Sequence, residues 1–288
     1  MKTVFPGICG VLLAGFAAIA PATAAGGEDV DRSGAPASTF DISYELYVCG
    51  VPLGKVAMSA RLQGKDYKAT STLETLGIVS TFWQSKIETD ASGTLTGGAV
   101  HPSLYDSFSQ YRREDRRQVT LSFKPDGPVS ISSNPPYPET RYPVPDAEQR
   151  KALDPLSGAM MLIAGAGSNG GAPCKANAPI FDGRRRYDVG FDFVRNLNIR
   201  MSNGLYSGPG VMCQVHYNQV AGYQQTLVDQ GKKLPPIYAW VASIRSTADP
   251  SRQYMLPMRI WAETEFGLVV ALATQATLDG APLNKVPK

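Results

Sequence analysis

The feature that most constrains the fold is a strict period-two alternation of apolar and polar residues that begins at Phe40. Apolar side chains fill every second position as far as Val48, with mostly polar ones between them. Because successive side chains of a strand point to opposite faces, this pattern predicts a β-strand with one buried face. Further runs at residues 56–62 and 67–73 follow across short turns, the first of them predicted at residues 50–54, and indicate an antiparallel meander.

The same alternation recurs along the chain to its C-terminal part. It is found at residues 119–123, 187–193, 197–201, 211–217, 238–244, 258–262 and 266–272. About ten to a dozen strands at this frequency, separated by turn pairs such as Asn203-Gly204, predict a mainly β protein. We expect a large antiparallel barrel-like or spirally curved sheet with one or two short helices.

Two segments break the strand pattern and predict helices. Asp154 is a good N-cap and Pro155 suits the first helical position, so a helix should start there and place its apolar stripe over one end of the sheet. Residues 76–84 are apolar and short, which is typical of a core plug or of a lid over a pocket for an apolar ligand. On the lid reading, Phe82 and Trp83 are candidate ligand-binding residues.

The N-terminus predicts export. Lys2, an apolar stretch at residues 11–20 and small residues at 22–24 together indicate a cleavable signal peptide over residues 1–24, and hence a periplasmic protein. Later apolar runs are shorter than the roughly 20 residues of a membrane helix, so no transmembrane segment is expected in the mature chain. We expect a flexible leader at residues 25–38, a single β-rich domain at 39–280 and a disordered tail at 281–288.

Three cysteines remain after the predicted cleavage, and they allow three pairings. We favour Cys174 with Cys213, because Cys213 lies on the apolar side of a predicted strand and Cys174 lies in a loop that can fold onto it. An oxidising compartment would permit this disulfide. The pattern leaves the role of Cys49 open.

Signatures of catalysis are missing from the sequence. It contains two distant histidines, no H-E-x-x-H, no C-x-x-C and no G-x-S-x-G. The G-x-G-x-x-G string at residues 165–170 follows a predicted helix instead of a strand, so it does not indicate a dinucleotide site. We therefore expect no catalytic residues, no metal and no cofactor, although Asp188, Asp192 and Glu263 could still act together in the fold.

Charge excludes one class of partner. With 28 basic and 25 acidic side chains, the chain lacks the basic stripe of a nucleic-acid binder. The basic cluster that is a candidate ligand site is Arg184, Arg185 and Arg186 after the Asp182-Gly183 turn. This triplet either keeps a strand end in water or holds the phosphate or carboxylate headgroup of a ligand.

Several landmarks in order resemble a known family. They are the glycine-bearing turn at residues 50–54, the Asp154-Pro155-Leu156-Ser157 helix start, the segment 181–187, the strand of Cys213 and the closing Pro257-Met258-Arg259-Ile260. Together they resemble a family of bacterial exported proteins, domain of unknown function 3108. The resemblance spans roughly residues 40–272 and implies a secreted β-rich envelope protein with the same Cys174–Cys213 pairing, and it brings no catalytic residues.

Two functional hypotheses follow. The first is a non-enzymatic periplasmic protein of the cell envelope that binds a lipid or other amphipathic ligand in its curved sheet. The second is a periplasmic scaffold or adaptor that binds another envelope protein through its edge strands and the proline-rich residues 134–145. The first requires an apolar cavity, whereas the second requires only an exposed surface.

Overall fold

The structure is a computed structural model, and it describes residues 36–76, 80, 85–111, 115–124, 129–165, 174–224, 226, 229, 235–265 and 267–285. Strands dominate the described residues. They are β1 Ala37–Val48, β2 Val51–Gln63, β3 Asp66–Thr75, β4 Ser85–Thr96, β5 Ala99–Tyr111, β6 Asp115–Ser122, β7 Ser130–Asn134, β8 Asn177–Phe181, β9 Arg186–Arg200, β10 Ser207–Ala221, β11 Ile237–Arg245, β12 Gln253–Thr264, β13 Gly267–Leu278 and β14 Ala281–Pro282. The helices are α1 Asp146–Arg150, α2 Pro155–Met160, a π-helix Met161–Gly165 and a 3-10 helix Leu283–Lys285.

All named strands belong to one antiparallel sheet. The spatial order is β7-β6-β5-β4-β3-β2-β1-β13-β12-β11-β10-β9-β8, with β14 added to the end of β13. The pairing of β1 with β13 joins the first half of the chain to the second. Within the described residues the path ends at β7 and β8, which leaves the sheet open and curved. The predicted fold class is confirmed.

Bulges account for much of the curvature. The register shifts at Ser43/Tyr44 between β1 and β13, at Trp240/Val241 between β11 and β12, and at Met212/Cys213 between β9 and β10. An extra residue on one strand bends it and increases its twist, so repeated bulges roll a long sheet onto itself. The rolled sheet encloses the main core, whose largest fully buried side chains include Tyr67, Tyr254, Phe40, Leu121 and Leu278.

The chain before α2 covers the edge strand β8. Leu153 forms a parallel bridge with Ile180, donating its N–H to the Pro179 carbonyl at 2.7 Å and accepting from the Phe181 N–H at 2.7 Å. Covering an edge satisfies its backbone groups and removes a site for unwanted pairing. The bridge also fixes the point from which α2 starts.

The disulfide predicted from the sequence is present. It joins Cys174 to Cys213 on β10 with the two Cα atoms 5.7 Å apart. Both cysteines are buried in a second, smaller cluster with Val211, Ala239 and Val241. Cys49 lies outside this disulfide, exposed, in the tight turn between β1 and β2.

The strand predictions hold for β1, β2, β3, β6, β10, β11, β12 and β13, but β4, β5, β7, β8 and β14 were missed. On β4 and β5, Leu95, Val100 and Tyr105 are buried in the core. Other core-side positions are small or hydroxylated, such as Ala91, Gly93 and Ser107, so no regular apolar alternation is visible in the sequence. His101 and Pro102 lie within β5. Pro102 pairs with Gly93 beside a bulge, which is a place where a strand tolerates proline.

Other boundaries also need correction. The strands predicted at residues 187–193 and 197–201 are one strand, β9, which ends at Arg200. The pairing with β10 skips Val194 as a bulge, and the strand continues without a turn. The turn expected at residues 50–54 contains only Cys49 and Gly50. The disordered tail was placed too early, because β14 and the 3-10 helix follow β13 and Leu283 is buried.

Some predictions lie outside the described residues. They are the signal peptide at residues 1–24, most of the leader, and nearly all of the helix at 76–84 including Phe82 and Trp83. The described part of the leader is short, because β1 starts at Ala37. Residues 35–288 form one compact unit. No helix among the described residues has the length and apolar character needed to cross a membrane.

Candidate functional site

An apolar cavity of about 370 Å³ lies between α2 and the sheet. None of the described residues that line it has a charged side chain. One wall is a cross-strand row in which Leu46 of β1 lies beside Ala271 of β13, and Ala271 lies beside Ile260 of β12. The lining residues are Tyr44, Leu46, Val56, Met58, Ser71, Thr89, Tyr105, Pro155, Leu156, Ala159, Ile163, Ile260 and Ala271.

The local sequence places α2 as the opposite wall. Asp154 caps the helix, accepting from the N–H groups of Leu156 at 3.0 Å and Ser157 at 2.8 Å. A Cβ at Gly158 would lie only 2.9 Å from the side chain of Ile180, so glycine permits α2 to lie close against β8. Leu156 is buried while Ala159 is half-buried and lines the cavity.

A buried polar network anchors α2 to the sheet. Asp154 and Ser157 are fully buried, and the Ser157 hydroxyl donates to the second oxygen of the Asp154 carboxylate. Ser157 also shares a 2.6 Å hydrogen bond with the Tyr67 hydroxyl on β3. Burial raises the pKa of Asp154 to about 6, despite the hydrogen bonds from Ser157 and Leu156 that act in the opposite direction. Burial also raises the pKa of Tyr67.

Because the pKa of Asp154 is raised, we expect the stability of the protein to depend on pH. The folded state binds the Asp154 proton more tightly than the unfolded state does, so its contribution is greatest below about pH 4 and declines as the pH rises towards 6. The difference between the ordinary pKa of 3.8 and the value of about 6 in the folded protein corresponds to roughly 3 kcal/mol of unfolding free energy. Asp154→Asn keeps one capping oxygen and cannot ionise. We expect urea unfolding of this variant to show a smaller loss of stability between pH 4.5 and 7 than the unsubstituted protein.

The comparison of the two proteins isolates Asp154 from other titrating groups, such as Asp182, whose pKa is also raised by burial. An identical pH dependence in the two proteins would contradict the role assigned to the Asp154 carboxylate.

Polar groups that line the cavity form hydrogen bonds within the protein. The Tyr44 hydroxyl donates to the Pro257 carbonyl at 2.8 Å, and the Thr89 hydroxyl donates to the Ser71 carbonyl at 3.4 Å. Burial raises the pKa of Tyr44 and of Tyr105, which keeps both hydroxyls neutral. The cavity therefore suits an apolar group better than a charged one.

The structure separates the three predicted arginines instead of bringing them to this cavity. Arg184 lies over the Tyr137 ring at 5.3 Å and Arg185 over the Tyr223 ring at 5.5 Å. Arg186 is buried and pairs with Asp188 at 2.6 Å. Because its charge is already matched, Arg186 is not free to hold a headgroup, whereas that role for the exposed Arg184 and Arg185 stays a prediction.

The proline-rich residues 134–145 bridge two parts of the sheet. The Tyr137 ring within them lies beneath the guanidinium groups of Arg117 on β6, at 4.7 Å, and Arg184 ahead of β9. A smaller pocket of about 180 Å³ lies there and is bordered by Tyr137, Val144 and Arg184. The segment thus serves at least as a structural connection.

Two of the three carboxylates considered for catalysis have partners of their own. Asp188 pairs with Arg186, and Asp192 pairs with His216 at 2.7 Å across β9 and β10. Glu263 lies near the end of β12. Among the described residues no group of three histidine, cysteine, aspartate or glutamate side chains is close enough to hold a metal ion.

Sequence reasoning missed most of the cavity lining. It assigned Leu46, Val56 and Ile260 to buried strand faces but could not tell a packed face from one that borders a space. The sequence feature that did point to this region was the predicted helix start at Asp154, because the apolar side of a short helix must pack against the sheet.

The fold and the cavity define a class: a mainly β protein with one long curved sheet and an apolar cavity under a short helix. A family model described as protein of unknown function (DUF3108) matches residues 39–274, so the chain belongs to that family. This confirms the resemblance found in the sequence.

A solved structure is similar over most of its length. It is the crystal structure of a beta-barrel-like protein of domain of unknown function DUF1849 from Brucella abortus, with a TM-score of 0.44 and 8% sequence identity. The similarity covers 85% of this chain and 97% of the other. No functionally curated protein matches the chain.

Proposed function

We propose that this protein is a non-enzymatic, periplasmic protein of the bacterial cell envelope that binds the apolar part of a lipid or other amphipathic ligand. The observation that carries the proposal is the cavity of about 370 Å³ between α2 and the sheet, whose described lining residues have no charged side chain. Its volume lies within the usual range for ligand pockets, roughly 300 to 1,000 Å³.

The lining favours an alkyl chain. Leu46, Val56 and Ile260 are half-buried around an unfilled space, so a ligand that fills it removes apolar surface from water. Burying about ten methylene groups stabilises a complex by roughly 8 kcal/mol before the cost of association. That figure corresponds to micromolar binding at best.

Two features support the periplasmic location. The N-terminal 24 residues have the order of charge, apolar stretch and small residues found in cleavable signal peptides. The Cys174–Cys213 disulfide suits an oxidising compartment.

A substitution that fills the cavity tests the proposal. Ala159→Trp places an indole in the space under α2, and we expect it to abolish binding of laurate measured by native mass spectrometry. Ala147→Trp is the matched control, because Ala147 is a helical alanine of α1 that is exposed and lies outside the cavity lining. The control should bind one laurate like the unsubstituted protein, and thermal unfolding should verify that both variants are folded.

Equal binding of laurate to Ala159→Trp and Ala147→Trp would contradict the proposal, because the ligand would then occupy another site. Failure of the unsubstituted protein to bind laurate or a longer lipid would contradict it as well.

An adaptor role is the second candidate. The edge strand β7 has a partner on one side only within the described residues, and Ile131 on it is 41% exposed. An open edge can accept a strand from another protein. Pull-down of a partner through β7 should be insensitive to Ala159→Trp, which separates this role from ligand binding.

A further inference from the structure

A second pocket, of about 320 Å³, lies on the other face of the same strands. Val270 and Leu272 of β13 line it, whereas Ala271 between them lines the cavity under α2. Neighbouring residues of a strand point to opposite faces, so the two spaces are separated by the sheet. The second pocket is lined by Tyr47, Gly50, Arg200, Met201, Ser202, Trp240, Arg259, Leu268, Val270 and Leu272.

Arg259 gives this pocket its chemistry. Its guanidinium carbon lies 5.1 Å from the ring centre of Trp240 and 5.1 Å from that of Trp261. Its Nε atom is buried and has no hydrogen-bond partner among the described residues. Tyr238 extends the aromatic group, with its ring 5.8 Å from that of Trp261.

The register explains why these groups meet. Arg259 pairs with Trp240 on β11 and with Leu272 on β13, so the three side chains form one cross-strand row. Trp261 pairs with Tyr238 in the next row on the same face. Directly opposed residues have Cβ atoms roughly 5 Å apart, which allows the indole rings to flank the guanidinium.

The positive charge of the pocket is not neutralised locally. Among the described residues, neither Arg259 nor Arg200 has a carboxylate within ion-pair distance. The acid in the row of Arg259 is Glu45, which lies beyond Leu272 and accepts a hydrogen bond from Tyr47. A half-buried guanidinium without a carboxylate is a binding site for an anion, because a charge-assisted hydrogen bond is stronger away from bulk water.

We propose that this pocket binds an amphipathic organic anion, with its phosphate or carboxylate on Arg259 and Arg200 and its apolar part against Trp240, Leu268 and Leu272. The anion gives the Arg259 guanidinium the charged partner that the described residues do not supply. The apolar walls favour an anion that carries an apolar group over bare inorganic phosphate. The two indole rings fix the orientation of the Arg259 guanidinium, so its N–H donors are already positioned when the headgroup binds.

Tryptophan fluorescence provides a local readout. The chain has three tryptophans, and in a Trp83→Phe background the two that remain both lie on Arg259. We expect octyl phosphate to change their emission in a saturable way. Arg259→Gln should weaken binding by about tenfold to a hundredfold, the range for a lost hydrogen bond to a charged group. Arg61→Gln is the control, because Arg61 is exposed on β2 and bonds to Gln63.

A milder variant guards against misfolding. Arg200 is exposed, so Arg200→Gln does not disturb packing, and we expect it to weaken octyl phosphate binding several-fold. Octanol should bind much more weakly than octyl phosphate, and inorganic phosphate should bind weakly too. These two probes distinguish an amphipathic anion from an apolar ligand and from free phosphate.

Unchanged affinity in both arginine variants would overturn the proposal, as would equal binding of octanol or of inorganic phosphate. The test of the second pocket is independent of the cavity under α2. Ala159→Trp fills only that cavity, so this variant should still bind octyl phosphate in the second pocket. Loss of octyl phosphate binding in Ala159→Trp, with normal binding in Arg259→Gln, would assign the ligand to the cavity instead.

Discussion

Reduction of the Cys174–Cys213 disulfide is expected to lower the free energy of unfolding by about 4 kcal/mol. The two cysteines are 39 residues apart in sequence, and closing a loop of that length restricts the unfolded chain by about this amount in the chain-entropy model. For a protein of this size the loss corresponds to a decrease in Tm of roughly 10 °C. Thermal unfolding with and without a reductant measures it directly.

The double variant Cys174→Ala/Cys213→Ala should have the lowered Tm of the reduced protein. Its Tm should not change further when the reductant is added. Cys49→Ser is the matched control, because Cys49 is exposed and lies outside the disulfide. The same Tm in oxidised and reduced protein would contradict the expected contribution.

Replacement of Asp279 by alanine is expected to cost about 3 kcal/mol, because it leaves buried donors without an acceptor. The Asp279 carboxylate accepts from the hydroxyls of Ser38 at 2.9 Å and Ser246 at 2.7 Å, and both serines are almost fully buried. It also accepts from the N–H groups of Thr39 at 3.0 Å and Ala248 at 3.0 Å. One side chain thus ties the start of β1 to the β11–β12 connection.

The carboxylate also has a distinct pH signature. Burial acts to raise its pKa, but the hydrogen bonds from Ala248, Ser246, Thr39 and Ser38 outweigh burial and lower the pKa to about 2. Its contribution to stability is therefore complete above about pH 4 and is lost as the pH falls towards 2. Asp279→Ala should reduce the acid sensitivity of unfolding in that window.

Two further variants test this prediction by urea unfolding. Asp279→Asn keeps one acceptor oxygen and tolerates the positive φ of 51° at this position, so it should lose less than alanine. Asp41→Ala removes an exposed aspartate that accepts from Thr277, and should change stability by less than about 0.5 kcal/mol. Equal losses at positions 41 and 279 would show that burial of the serine donors is not the cause.

The parts of the fold that could be predicted from sequence are those with a strong local signal. Phe40, Ile42 and Tyr44 alternate with polar residues, and β1 follows from that alternation alone. Asp154 and Pro155 predicted the start of α2, because aspartate is favoured at the N-cap and proline at the first helical position. The Cys174–Cys213 pairing was favoured because Cys213 lies on an apolar strand face.

The parts that escaped prediction depend on contacts between distant residues. On β4 and β5 several core-side residues are small or hydroxylated, and the strand conformation becomes evident only when β3 and β6 lie beside them. Arg259 reads as an ordinary charged residue of a strand, since its indole neighbours Trp240 and Trp261 come together through the register of β11 and β12. The arginine triplet at 184–186 separates because strand and turn direct the three side chains to different partners.

The central claim is that the cavity under α2 holds the apolar part of a ligand. The most direct measurement is native mass spectrometry of the protein purified gently from the cells that produce it, compared with the mass of the denatured chain and with Ala159→Trp prepared in parallel. We expect an excess mass in the unsubstituted protein that is released on unfolding as a lipid and is absent from Ala159→Trp. The bare chain mass in both proteins, or the same lipid retained by Ala159→Trp, would contradict the claim.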